Sequence, residues 1–559
     1  MEIKKISSDK IAIHAVFWLS IVLVGLYHSY MACLVSAIMA VELAVHIIRH
    51  RRLRIHWNLS FVAVLTLTAC YGLSCIWAVD HGMALIGFFQ FTGPLLFLLL
   101  MMQYPEEKTR IKAAFPYAMA ILTAASVGLS LIPSLSRYFL VADRLAGFLQ
   151  YPNTFAVLLL VAELMLISTA KRSVRSGVVL LILLVGILYT GSRTVFALGI
   201  LANLVYALTR RTKKQALFMI GGIAAVVATV LLVAMALDQD VLNRYLRFSA
   251  LESTFAGRLL YWMDAFPWIL THPFGSGHGG YYYVQQSFQT GVYSVMHLHN
   301  DLLQMMFDVG WIPAVLWAVA VIRSIIRNKK VPVQSIILTV LFVHSLFDFD
   351  LQFVALYFVF FLFMDTESGK ERVLACRKTL AVGAVALTYC CIYMSAATLL
   401  PEIGQRSAGN ALYPWNTRNQ TQMLIEAESV QDAFDIADDI LQRNGYVTVA
   451  YSAKCSEAYS RGDFLTFIET KRMILERFPF QYAEYEDYCR KLISGIEWYR
   501  ANGDSYSANV CIEELVATEK KLNALTSRVS ALGSVIADQP ITQLPQELLD
   551  TIRSLQSGI

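Results

Sequence analysis

The amino-acid sequence predicts an all-α protein in two parts: a polytopic bundle of about 12–13 membrane-spanning helices over residues 1–400, and a soluble helical-repeat domain over residues 401–559. Apolar residues make up 57% of the chain and charged residues 16%, with a mean hydropathy of +0.53, well above a soluble globular chain of this length. Apolar windows of roughly 20 residues, the length that crosses a hydrocarbon core about 30 Å thick, recur throughout the first part. The character then changes. Residues 401–559 hold 15 Lys+Arg against 22 Asp+Glu, a net −7, whereas the residues before them are net +12.

The apolar windows fall near 11–28, 30–48, 58–78, 83–103, 113–133, 154–170, 176–190, 194–208, 216–236, 309–326, 332–347, 353–364 and 379–399. The start of the chain, three lysines and then an apolar run from Ile11, lacks a small-residue cleavage site and is followed at once by a second apolar run, so it reads as a retained first span. Every second connection is basic: HRRLR at 50–54, EEKTRIK at 106–112, KRSVR at 171–175, RRTKK at 210–214, RNKK at 327–330 and GKERVLACRK at 369–378. The positive-inside rule then predicts a cytoplasmic N-terminus in the inner (cytoplasmic) membrane, and an odd number of spans delivers the C-terminal domain outside. The nine cysteines are scattered, with neither metal-ligand spacing nor an even disulfide set.

The outer connections carry nearly all the unusual polar residues of the membrane part. They contain DRLAGFLQYPN at 143–153, TGSRT at 190–194, a long segment at about 237–308, and HSLFDFDLQ at 344–352. Arg144, Arg193, Arg258, His299, His344 and Asp348 are thereby brought to one membrane face. A charged group at a span end is costly unless it snorkels, pairs or lines a wet cavity, so such a gathering points to a site. Singly, each has a plainer reading, an arginine snorkelling to headgroups or a solvated loop histidine.

The long outer segment reads GRLLYWMDAFPWILTHPFGSGHGGY at 257–281 and HLHNDLLQMMFDVGW at 297–311. It resembles the signature loop of the O-antigen ligase and polymerase superfamily: an Arg ahead of an aromatic pair, a Pro-Phe-Gly-x-Gly turn, then His-Asn leading to Leu-Gln and an acidic-x-Gly. RLAGFLQYPNTFA at 144–156, TGSRT and HSLFDFDLQF at 344–353 resemble the flanking family motifs, in order, over roughly residues 60–365. GSGHGG alone is a weak signal, and no strand precedes it that would make it a nucleotide cradle.

The resemblance implies transfer of a glycan from an undecaprenyl-diphosphate carrier to an acceptor hydroxyl outside the cytoplasmic membrane. Cleaving the sugar–phosphate bond leaves a lipid diphosphate whose growing charge must meet fixed positive donors. Arginine suits that task, because its fork binds phosphate oxygens bidentately and keeps its proton. By resemblance, Arg193 and Arg258 hold the diphosphate, with Arg144 as a third donor. An imidazole suits the removal of the acceptor proton, and His299 matches the family's histidine before asparagine. The implied chemistry is a single inverting displacement with no metal and no cofactor.

Supporting roles are open. His297 shares or replaces the part of His299; Asn300 caps the helix that starts the next span; Asp308 lies where relatives carry Glu, with a helix-start carboxylate as its plainer reading. His344, Asp348 and Asp350 either pair with an arginine or line the rim. Tyr261, Trp262, Tyr281, Tyr282 and Tyr283 either stack on sugars or form an interfacial belt.

After residue 400, helices are predicted at 422–444, 448–460, 462–477, 482–502, 504–526 and 543–556. The run at 450–480 resembles a tetratricopeptide-type hairpin, and such a domain would present an acceptor, a growing glycan or another envelope-assembly protein. The acceptor separates a ligase, a polysaccharide polymerase and a protein O-oligosaccharyltransferase. A lipid-linked-glycan transporter predicts ionisable residues midway along spans and two related halves, whereas the polar residues gather at one face; a scaffold has no use for His299 or the arginines. The partners implied are the lipid-linked donor, a glycan, lipid or protein acceptor and the bilayer; no nucleic acid.

Overall fold

The computed structural model describes residues 8–169, 173–209, 217, 220–221, 253–375, 377–536 and 538–557. Within these the chain is an all-α, multi-pass membrane protein. Six helices are long and apolar enough to span a bilayer and six shorter ones are apolar. The first part runs α1 (Ser8–Val22), α2 (Ser29–His50), β1 (Leu53–Trp57), α3 (Leu59–Ser74), α4 (His81–Gln90), α5 (Gly93–Gln103), α6 (Pro105–Ser130), α7 (Pro133–Phe139), β2 (Leu140–Val141), β3 (Arg144–Leu145), α8 (Pro152–Thr169), α9 (Val174–Thr190) and α10 (Arg193–Leu208). Then follow α11 (Ser253–Thr271), α12 (Gly280–Phe288), α13 (Asp301–Val309), α14 (Trp311–Arg327), α15 (Pro332–Ser345), α16 (Val354–Phe363), β4 (Lys370–Leu374) and α17 (Arg377–Glu402). The predicted span at 216–236 and the basic run at 210–214 lie outside the described residues.

Two boundaries differ from the sequence reading. EEKTRIK opens α6 instead of forming a loop, because Pro105 takes the first helical position, where its missing N–H is no loss. The predicted span from 309 begins two residues later, at Trp311, since Gly310 at φ +91° separates α13 from α14.

α16 is apolar all round and every one of its residues is buried, which places it at the bundle axis. Phe358 stacks on Phe97 at 4.1 Å, and Trp317 meets Tyr357 and Phe360 edge-on at 5.0 and 5.4 Å.

At one end of the bundle the basic connections join one another. β1 pairs antiparallel with β4, Leu53 opposite Leu374 and Trp57 opposite Lys370, so two segments read as loops form a ribbon. Lys108 Nζ donates to Met364 O at 3.0 Å and Thr366 Oγ1 at 2.9 Å, and Arg327 pairs with Asp365. Connections separated by hundreds of residues thus share one face, as their common basic character requires.

The opposite end carries the region after Glu402. It comprises α18 (Arg406–Leu412), α19 (Thr417–Ile425), α20 (Val430–Arg443), α21 (Thr448–Ser460), α22 (Phe464–Arg477), α23 (Tyr482–Ala501), α24 (Ser505–Asn523) and α25 (Gln546–Ser557). The predicted 422–444 helix breaks between α19 and α20, where Ser429 caps the second piece. Phe467, Tyr485, Tyr488, Leu492, Ile512 and Leu515 form a core of their own in this region. Its near side sits on the bundle end: Asn444 Nδ2 donates to Asp80 Oδ2 at 2.9 Å, Tyr413 OH to Gly82 O at 2.9 Å, and Arg528 Nη2 to Ser287 O at 2.6 Å.

Single-cysteine labels at Asn328 and Glu371 should therefore react from the same side of the membrane, and labels at Leu465 and Tyr506 only from the other. Membrane-impermeant maleimide on intact cells and inverted vesicles measures this; labelling of all four from one side would break the two-ended arrangement.

Candidate functional site

At the end facing α18–α25, the connection after α7 folds into a tight hairpin, β2 and β3, with Val141 opposite Arg144. Its turn residues Ala142 and Asp143 adopt φ +49° and +58°. The hairpin aims Arg144 at the next motif: Nε donates to Thr190 O at 2.7 Å and Nη2 to Asn153 Oδ1 at 2.6 Å. Thr190 closes α9, Gly191 follows in the left-handed conformation, and Arg193 is the first residue of α10. Arg144 thus ties the 143–153 motif to the turn that carries Arg193.

The 297–311 segment is pinned at both ends. Asn300 caps α13, its Oδ1 accepting from Leu303 N at 3.1 Å; this short helix ends before the next span. At the other end the Pro-Phe-Gly-x-Gly turn acts as a clamp, with Ser276 N donating to Phe307 O at 2.7 Å and Gly277 N to Asp308 O at 2.9 Å. Only glycine fits there, since Gly275 has φ +81° and a Cβ on it would lie 2.5 Å from Asp308 O. The turn satisfies the last carbonyls of a helix, a use unrelated to nucleotide binding. Gln304 completes the brace: Oε1 accepts from Leu298 N at 2.9 Å, and Nε2 donates to Asp308 Oδ1 at 2.9 Å. The next residue, His299, is held at φ +51°, a conformation that costs a non-glycine residue about 1–3 kcal/mol and persists only where the surroundings impose it.

Asp348, on the connection between α15 and α16, is where these segments meet. It is 1% exposed and its carboxylate is surrounded by donors. Oδ1 accepts from Tyr151 OH at 2.7 Å, its neighbour Phe349 N at 3.0 Å and His299 Nδ1 at 3.2 Å. Oδ2 accepts from Asn153 Nδ2 at 2.7 Å and Arg258 Nη2 at 3.3 Å. Burial alone would push its pKa up, but the His299 hydrogen bond and the Arg258 charge outweigh burial and hold it well below the usual carboxylate range. An ionised carboxylate only accepts, so His299 must carry a proton on Nδ1, which turns Nε2 away from Asp348. Arg258 also donates Nη1 to Phe347 O at 2.5 Å. Its remaining N–H groups make no hydrogen bond among the described residues.

The ring of Phe349 sits 4.9 Å from the imidazoles of both His297 and His299. His297 Nε2 bonds Tyr27 OH at 3.1 Å, and burial, with His278 and His299 nearby, pushes its pKa well down, so it is neutral.

Several sequence-predicted roles are corrected. His344 Nδ1 lies 2.5 Å from Asp350 Oδ2, and Asp350 Oδ1 accepts from Thr154 at 2.7 Å, so this second buried acid bonds a histidine and a threonine while Asp348 alone bonds Arg258. Asp308 sits in the last turn of α13, not at a helix start, and braces Gln304. Tyr281 is wholly buried with its ring 5.4 Å from Phe307, and Tyr283 packs beneath α19, so neither is free to stack on a sugar; Tyr282 is exposed. The polar residues are also not confined to one face. Glu163, 5% exposed within α8, accepts from Asn203 of α10 at 3.3 Å. Sequence reasoning missed Tyr151, Asn153 and Gln304 as positioning groups, although all three lie inside motifs it singled out.

Residues 178–318 match the family model described as O-Antigen ligase. That stretch holds Arg193, Arg258, His299 and Asp308; Arg144 and Asp348 lie outside it. The O-Antigen ligase match supports a ligase-like role in polysaccharide biosynthesis for this membrane protein. The comparison with curated proteins returned no match.

Asp348→Ala strands Arg258 and His299 together and should destabilise the protein by about 3–5 kcal/mol, as removing one partner of a buried charged pair does. A carboxyl with a depressed folded pKa contributes its stabilisation fully above the ordinary value near 3.9 and loses it as pH falls below that. Thermal melts in detergent between pH 8 and 3 should therefore show a constant gap between wild type and variant down to about pH 4; a gap already closing from pH 7 to 5 would show that Asp348 protonates there.

Proposed function

We propose that the protein is an integral membrane glycosyltransferase that transfers a glycan from an undecaprenyl-diphosphate carrier to an acceptor hydroxyl, in cell-surface polysaccharide biosynthesis. The observation that carries this reading is the convergence of His299 and Arg258 on Asp348. The end bearing Asp348 and α18–α25 then faces the outside of the inner (cytoplasmic) membrane, with residues 401–559 as an extracytoplasmic, tetratricopeptide-like domain and the basic loops in the cytoplasm.

In this mechanism His299 Nε2 takes the proton of the acceptor hydroxyl as its oxygen attacks the anomeric carbon. The bond from that carbon to the diphosphate oxygen breaks, and the electron pair leaves on the diphosphate. Arg258 and Arg193 meet the developing charge, with Arg144 supporting them. Asp348 holds the Nδ1–H tautomer and stabilises the imidazolium that forms, as an orienting carboxylate does for a histidine base. A single displacement inverts the anomeric carbon, and the residues supply the base and the counter-charge without a metal.

Glutamine in place of His299 keeps size and a hydrogen bond but accepts no proton, so His299→Gln should lose about a hundred- to ten-thousand-fold in rate. His297→Ala should be milder. The assay is turnover of purified protein with undecaprenyl-linked glycan and candidate acceptors, with and without chelator; full turnover by His299→Gln removes the general-base role, and loss on chelation replaces the metal-free mechanism.

Arg258→Lys keeps the charge yet cannot bridge Asp348, Phe347 O and a phosphate with one planar fork, so most activity should be lost at normal protein levels. Near-normal complementation by this variant would make Arg258 a structural anchor. Deleting the gene distinguishes the acceptors: unpolymerised lipid-linked units accumulate for a polymerase, long lipid-linked chains for a ligase, and a glycoprotein disappears for a protein O-oligosaccharyltransferase.

A further inference from the structure

A cavity of about 310 Å³ lies where the bundle end meets α18 and α19. Its volume is at the lower end of small-molecule sites, roughly 300–1,000 Å³. The bundle contributes the start of α2, α4, His297 and Gln352; the C-terminal region contributes Arg406, Asn416, Arg418 and Gln422. Two of these segments belong to the site described above: His297 is two residues from His299, and Gln352 is four from Asp348. The cavity is therefore built jointly by the catalytic loops and the region after the last span.

Ser29, Gln90, Asn419 and Gln422 of its lining are bonded to neighbours, but a few polar groups are not. The Gln352 side chain is 5% exposed and hydrogen-bonds nothing among the described residues. Arg418 makes no ion pair or side-chain hydrogen bond among them, and the same holds for Glu402. Asn416 uses only its Oδ1, on Asn419 N at 3.2 Å, which leaves two amide protons. Arg406 is already paired with Glu426 at 2.8 Å. On the bundle side His28 and Tyr30, whose rings stack at 5.6 Å, supply aromatic lining.

The Gln352 amide opens onto the cavity, and a ligand that displaces water from it must supply hydrogen bonds in return. A diphosphate would call for several uncompensated cations, but here one arginine faces one carboxylate. Sugar hydroxyls each donate and accept, matching a set of amide, guanidinium and carboxylate groups, and a ring's apolar face fits aromatic lining.

We propose that this cavity is a carbohydrate subsite, holding an uncharged sugar unit of a glycan whose reacting end lies at His299, and that Arg418 brings the C-terminal region directly into substrate recognition. The identity of the glycan rests on the glycosyl-transfer reading; the existence of the subsite does not.

The test is binding to full-length protein in lipid nanodiscs with two probes. One is the oligosaccharide released by mild acid from the host's lipid-linked pool, and the other is surface glycan released from a gene-deletion strain. Wild type should bind at least one saturably, with Arg418→Ala and Gln352→Ala each weakening it at least about tenfold and the change Tyr506→Ala, at an exposed residue outside the cavity, leaving it within about twofold. Binding of the first probe alone assigns the cavity to the donor chain, and of the second alone to the acceptor. No saturable binding of either up to about 10 mM, binding indifferent to both cavity variants, or equal loss in all three variants overturns the proposal. Turnover by His299→Gln alongside cavity-dependent binding would remove the catalytic reading and leave the subsite standing.

Discussion

The buried carboxylate of Asp348 is the constraint on which the rest of the site depends. Four side chains from three other segments donate to it: Tyr151 and Asn153 from the start of α8, Arg258 from α11, and His299 from the loop before α13. A desolvated charge is tolerable only when its lone pairs are met, so none of these segments can move alone without leaving an unpaired group in a low-dielectric place. The same network sets chemistry as well as shape. Because Asp348 stays ionised, it dictates the tautomer of His299, and because Arg258 is tethered through Asp348 and Phe347 O, its guanidinium plane is fixed before any anion arrives.

The helices could be read from the sequence because the physics that makes them is local. Apolar windows from 11–28 to 194–208 and from 309–326 to 379–399 coincide with apolar helices, since a span must satisfy its own backbone and present an apolar surface whatever its neighbours are. The β1–β4 ribbon was not legible, because it joins residues more than 300 apart and its strands lie in runs whose charge hid their pairing. The site divides the same way. Arg144, Arg258, His299 and Asp348 could be collected onto one face from topology and family likeness, but their partners could not. That Asp348 rather than Asp350 takes Arg258, although two residues separate them, depends on which way a short turn points each carboxylate. Asp308 was misjudged because Gly310 ends α13 early, which turned an expected helix start into a helix end.

The glycine-rich turn at 273–277 illustrates how a motif can be conspicuous for a reason other than ligand contact. Its N–H groups close the C-terminal end of α13, and its positive-φ glycines let two backbones approach more closely than any side chain would allow. The carbonyl it secures belongs to Asp308, whose side chain braces Gln304, whose amide oxygen holds Leu298 N beside His299. Each link is an ordinary hydrogen bond worth about 1 kcal/mol. Together they supply the rigidity that keeps His299 in a left-handed backbone conformation it would otherwise leave.

That strain has a use if the histidine must face two neighbours at once. With Nδ1 committed to Asp348, Nε2 points where the backbone twist at His299 directs it, and a relaxed backbone would redirect the ring. His297 shows the alternative: two residues away, half-buried, neutral and bonded to Tyr27, it lines the cavity together with Arg418. One short loop thus carries one imidazole to the charged hub and another to the wall of the cavity, each ring 4.9 Å from that of Phe349. The single loop from 297 to 299 therefore couples the hub to the cavity wall, and a shift of its backbone would move both imidazoles together.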